Sequence, residues 1–79
     1  MHILVAKLIT GEEVLFYSDA QDISTHRVMH NPHILPDLEP WLTSMNNSRC
    51  SMRRENFLII RSADDVSPII LESYRNLKV

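Results

Sequence analysis

The stretch KLITGEEVLFY, Lys7 to Tyr17, decides the fold, and it holds the only glycine of a 79-residue chain. Two runs flank that glycine, HILVAKLI before it and EVLFYS after it. Both are rich in Ile, Val, Leu, Phe and Tyr, side chains that suit a pleated, half-buried backbone better than a helix. A tight connection of about two residues needs a positive φ, which glycine adopts without a Cβ penalty. The stretch therefore predicts a β-hairpin centred on Gly11.

Reading outward, the first strand spans His2 to Ile9 and the second runs from Glu13 to about Asp19. Ile3, Val5 and Ile9 fall on one face of the first strand, and Leu4, Ala6 and Leu8 on the other. Val14 and Phe16 likewise oppose Leu15 and Tyr17 in the second. A sheet with one wet face alternates apolar with polar residues, so these strands must be covered twice. Two covers are expected: a sheet that curls into a small barrel with a helix over it, and a neighbouring subunit on the outer face.

DAQD reads as the loop after the second strand. ISTHRVMH, with Ile23, Thr25 and Val28, reads as a third strand with room for an irregularity. Pro32, Pro36 and Pro40 restrict the next segment to an edge strand, a bent strand or a loop. PWLTSM is a candidate short strand, NNSRC a polar loop, and Phe57 to Ile60 the core of the last strand, with all strands falling within about 2–62. A helix is expected over about 66–77, with Ser67 as N-cap, Pro68 at its first position and Val66 packing on Leu71. Ile70, Tyr74 and Leu77 form its apolar stripe, Asp64 and Asp65 precede it, and Arg75 and Lys78 lie near its end. The fold class is thus mainly β: one domain, a small strongly bent five-stranded barrel with one C-terminal helix and no N-terminal one.

A chain this short buries only about 60% of the surface that its unfolded form exposes. Small domains compensate with disulfides, a metal or oligomerisation. Cys50 is the sole cysteine, which removes an internal disulfide. The net charge is −2, without a block of like charge that would neutralise DNA. No apolar window reaches membrane-spanning length, and the N-terminus carries no basic leader, so a soluble cytoplasmic protein is expected.

KLITGEEVLFYSDAQ is similar to the first signature of Sm-like (LSm) proteins, in which an apolar strand leads through a glycine turn into a second strand and an Asp-containing loop. VAKLITGEEV, the central Pro40-Trp41-Leu42 and an apolar last strand before a C-terminal helix look closest to the small Sm-like proteins of marine cyanophage type. The resemblance implies a five-stranded bent barrel that pairs strand four with strand five of the next subunit and closes into a homo-oligomeric ring. It also implies single-stranded RNA or DNA as ligand, in the host cytoplasm if of phage origin. Carried across residue by residue, the loop after strand two offers Asp19, Gln21 and Asp22, and the loop before the last strand offers Arg53, Arg54 and Asn56. Here Ser62 follows Arg61 where the family has a glycine, and DAQD holds no aromatic residue to stack a base.

Arg49, Arg53, Arg54 and Arg61 lie within thirteen residues with only Glu55 opposing. Guanidinium groups donate bidentately to phosphate, and a ring repeats them around a pore. The competing reading is a solvated loop whose arginines pair with neighbours. His26, His30 and His33 would gather on one face of a helix, as a zinc site requires. Their segment reads as a strand, where His26 and His30 lie about 13 Å apart and His33 points away if the strand stays regular. No metal site and no cofactor is therefore expected. Cys50 and the serines sit in no nucleophile elbow, Glu12 and Glu13 make a poor acid–base pair, and there is no phosphate-cradling glycine loop. Trp41 reads as core or interface rather than as a stacking platform. The expectation is a binding protein without chemistry of its own and without a small-molecule substrate. A protein-interaction or assembly module of a ring oligomer is the alternative, favoured by the stretch Glu12 to Asp22, with four acids and no base.

Overall fold

The structure, a computed structural model, describes residues 2–19, 26–41 and 49–77, and the side chains of all but His26, Arg27 and Arg49 among them. Six antiparallel strands, rather than the expected five, form one sheet: β1 (His2–Leu8), β2 (Glu13–Ser18), β3 (His26–Ile34), β4 (Glu39–Pro40), β5 (Arg49–Arg53) and β6 (Phe57–Ser62). Helix α1 (Pro68–Arg75) follows. Three-residue 3-10 turns, Arg54–Asn56 and Ala63–Asp65, join β5 to β6 and β6 to α1. The order across the sheet is β4-β3-β2-β1-β6, with β5 also on β3.

The hairpin forms as expected, with a loop one residue longer than the shortest kind. The Leu8 N–H donates to Glu12 O at 2.9 Å and the Gly11 N–H to Leu8 O at 2.9 Å, leaving Ile9, Thr10 and Gly11 as the loop. Gly11 takes φ 99°, and a Cβ there would meet no atom within 4 Å. The glycine is required by its dihedral, not by crowding.

The sheet is forced to curl. β5 ends with Arg53 opposite His26, at the start of β3, whereas β6 begins with Phe57 opposite Leu8, at the hairpin end of β1. In a flat sheet those points would be separated along the strands by about 30 Å. The turn from Arg53 to Phe57 spans at most about 14 Å. The far end of β3 must therefore fold back over the hairpin. Leu4, Ala6, Leu8, Val14, Phe16, Met29 and Phe57 are buried together inside the resulting curve, with Trp41, Cys50, Met52 and Ile60 packed at its margin. The curl stops short of a closed barrel: among the described residues no ladder joins β5 to β6.

The outer face is covered by α1. Leu15, Ala63 and Tyr74 are buried there, flanked by Ile3, Val5, Tyr17, Val66, Ile70 and Leu71. The Tyr74 hydroxyl donates to Asn31 O at 2.7 Å, and its ring stacks on Tyr17 at 5.2 Å and meets His33 edge-on at 5.6 Å. Helix formation is shorter than the expected 66–77. Ser67 occupies the N-cap position and Pro68 follows, but the serine makes no capping hydrogen bond. Leu77 falls beyond the helix and is partly exposed.

Two bulges interrupt the regular alternation of the sheet, one of them in the third strand, where the sequence left room for an irregularity. Leu15 pairs with His33 but Tyr17 with His30, so β3 carries one extra residue, and Asn31 takes φ 55° at that point. Lys7 pairs with Ile59 but Leu8 with Phe57, so Leu58 is the extra residue of β6. Phe57 and Ile60, three apart, consequently both reach the inner core. Two further expectations change. Arg49 and Cys50 open β5 rather than closing a polar loop, and Pro40 ends a two-residue strand, with Trp41 in the bend that follows. The rest of PWLTSM and of NNSRC lies outside the described residues.

Candidate nucleic-acid interface

Arg53, Arg54 and Asn56 are brought together by the turn that closes the curl. Asn56 O accepts from the Ile9 N–H at 2.9 Å, which ties this turn to the hairpin loop. Arg53 is the last residue of β5, and its register partner is His26, the first described residue after the segment that holds Gln21 and Asp22. Those two candidates lie outside the described residues. Asp19 ends up elsewhere. It follows β2 and pairs with His30 at 3.6 Å, which is four residues along β3 from His26, or about 13 Å.

The arginine cluster read from the sequence is divided. Arg61 sits on the helix side of β6, where its Nη1 donates to Asp65 Oδ2 at 3.4 Å. Arg53 lies 3.6 Å from Glu55, both well exposed. Exposed pairs of this kind are worth at most about 1 kcal/mol, so each stays available to a competing anion. Arg54 is exposed and has no ion pair among the described residues. The free positive charge at the turn is thus smaller than the count of arginines suggests, and Arg54 carries it.

The other candidate side chains are occupied structurally. Trp41 is half-buried against the inner core and its Nε1–H donates to Glu12 Oε2 at 3.2 Å. Glu12 also accepts from the Thr10 hydroxyl, so the carboxylate organises the hairpin loop. Burial pushes the Cys50 thiol up from its ordinary value, away from nucleophile character. The β3 bulge turns both His30 and His33 toward the helix side, whereas a regular strand would have opposed them. His33 Nδ1 is 3.0 Å from Asn31 O and its ring meets Tyr74. Among the described residues no three His, Cys, Asp or Glu side chains gather as metal ligands.

Two open clefts flank α1. One, of about 500 Å³, lies among His2, Tyr17, Asp64 and Arg75. The other, of about 450 Å³, lies among Val5, Leu35, Pro36, Val66 and Ile70 with the Arg61–Asp65 pair at its rim. Neither includes Arg53, Arg54 or Asn56. Phe57 to Ile60 was expected as the last strand and forms it, but the exposure of its side chains was not read from the sequence. Leu58 is 61% and Ile59 52% exposed on a strand whose outer edge has no partner among the described residues, and Ile9 is exposed at the hairpin end of β1.

No described helix is long and apolar enough to cross a membrane. Compared with protein-family models and with curated proteins, the chain matches none.

Proposed function

We propose that this chain is an Sm-like, ring-forming protein that binds single-stranded RNA or DNA and serves as a chaperone or processing accessory. The observation that carries the reading is a pair of edges, β5 and β6, that have no partner among the described residues, the second of which exposes Leu58 and Ile59. An exposed apolar edge strand is a liability for a free monomer, and pairing β5 of one copy with β6 of the next removes it. These are the strands that the Sm-like resemblance joins between subunits. In such a ring the Arg53–Asn56 turn recurs once per subunit, so the weak charge of one turn is concentrated.

Light scattering behind a sizing column tests the ring, with a mass of several chains expected; a single-chain mass ends the proposal. For the ligand, Arg53→Ala with Arg54→Ala weakens binding of a labelled single-stranded oligonucleotide and flattens its salt dependence. Arg54→Ala alone accounts for most of the loss, because Arg53 already has Glu55 beside it. Unchanged binding by the double variant removes the site.

A second reading, an assembly module that meets a protein partner through its outer surface, is favoured by the negative net charge and by the pairing of Arg53 and Arg61 with acids. Filter binding of generic RNA at low salt separates the two: retention supports the first, silence the second.

A further inference from the structure

Two buried polar atoms on consecutive residues of the β3 bulge, His30 Nε2 and Asn31 Nδ2, have no hydrogen-bond partner among the described residues. An orphaned buried polar group is costly, and its persistence asks for an explanation. For His30 the structure supplies one. Asp19 Oδ2 lies 3.6 Å from Nε2, just beyond hydrogen-bond reach, on a side chain that is 73% exposed and can move, whereas the His30 side chain is only 22% exposed.

We propose that Asp19 and His30 form a proton-operated latch between the end of β2 and the middle of β3. With the ring neutral and its proton on Nδ1, Nε2 is an acceptor that a carboxylate cannot satisfy, so the latch is open and the Asp19 carboxylate faces water. When His30 binds a proton, both ring nitrogens become donors. Asp19 then closes the short gap to a charge-assisted hydrogen bond, which satisfies the orphaned nitrogen. The other titratable or charged groups around His30 do not replace Asp19. Tyr17 on β2 is its register neighbour, and Tyr74 on α1 approaches its backbone carbonyl at 3.5 Å. His33, along the same strand, is engaged with Asn31 O and Tyr74, and Arg49 on β5 is the register partner across the other edge. Among the described residues Asp19 is the one carboxylate paired with this ring.

The latch stands independently of the ring and of nucleic acid. If the proposed ligand reading also holds, closing it withdraws a negative charge from the border of the 20–25 segment.

The test uses the full chain without ligand. The side-chain carboxyl carbon of Asp19 is followed by NMR from pH 3 to pH 8. The expected trace has the carboxylate's own step and a second step that coincides with protonation of the His30 ring, followed in the same samples through its ring-carbon protons. The protection factor of the Asp19 amide, its intrinsic exchange rate at each pH divided by the observed rate, should rise at least about threefold below that second step. Both effects should vanish in His30→Gln, and the exchange effect in Asp19→Asn, a change on an exposed side chain that leaves packing intact. A single carboxylate step in the parent overturns the latch, as does a second step that survives His30→Gln.

Discussion

Leu15 and Phe16 are neighbours in β2, both fully inaccessible to water, yet they are buried by different means. Phe16 faces the inside of the curl, where β1, β3 and β6 bring Leu4, Met29 and Phe57 around it, with the Phe57 ring 6.5 Å away. Leu15 faces outward and is covered by Tyr74 and Ala63 from the last part of the chain. The inner face is closed by the sheet's own topology. The outer face depends on an eight-residue helix, which cannot cover the whole sheet and leaves Ile9, Leu58 and Ile59 bare. The difference teaches where this small domain is self-sufficient and where it needs something else.

The largest effect is expected inside the curl. Phe16→Ala should cost about 3–5 kcal/mol in urea unfolding, because its neighbours belong to several strands and cannot all collapse into the void. For a domain of this size that removes most of the stability. A loss below about 1 kcal/mol would mean that the sheet does not close over Phe16, and the contrast between the faces would disappear.

The outer face should be softer and sensitive to alkali. Tyr74→Phe keeps the stack on Tyr17 and removes the bond to Asn31, so about 0.5–1.5 kcal/mol is expected, plus a share for the carbonyl left unsatisfied. Burial first, and the nearby Tyr17 second, hold the Tyr74 phenol well above its ordinary range. A phenol whose ionisation is postponed by folding contributes stability that is fully present below about pH 10, the unfolded value, and is lost as pH rises further. The parent should therefore lose stability above about pH 10 more steeply than Tyr74→Phe. Parallel curves would show that the helix is not anchored through this hydroxyl.

Both covers were partly legible in the sequence. Gly11, the two-faced strands and Ser67-Pro68 announced the hairpin, the need for double cover and the helix that supplies one cover. The curl was legible only as a requirement, because it follows from the register of His26 with Arg53 and of Leu8 with Phe57, which no local pattern encodes. The site was less legible. Counting arginines along the chain ignored that Arg61 lies on the helix side, beside Asp65, while Arg53 and Arg54 stay at the turn. The faces beyond Asn31 and Leu58 could not be read from alternation, because an inserted residue reverses every side chain beyond it. Asn31 is a residue type that tolerates a positive φ, which hints at a bulge without locating it.

The smallest change to the chain itself tests the uncovered part of the outer face. Leu58→Thr combined with Ile59→Thr keeps β-branched or strand-compatible side chains on β6 and removes only apolar surface. Both positions are more than half exposed, so within one chain the pair should alter unfolding free energy by no more than about 0.5 kcal/mol. If a neighbouring β5 covers this edge, each lost side chain is worth about 1.5–3 kcal/mol at the interface, enough to weaken association by well over a hundredfold. The assembly mass at a fixed dilute concentration should then fall while the fold survives. Unchanged mass together with unchanged stability would show that the bare edge meets nothing. A stability loss above about 1 kcal/mol without a change of mass would show instead that Leu58 and Ile59 are covered by their own chain, and that the outer face is as self-sufficient as the inner one.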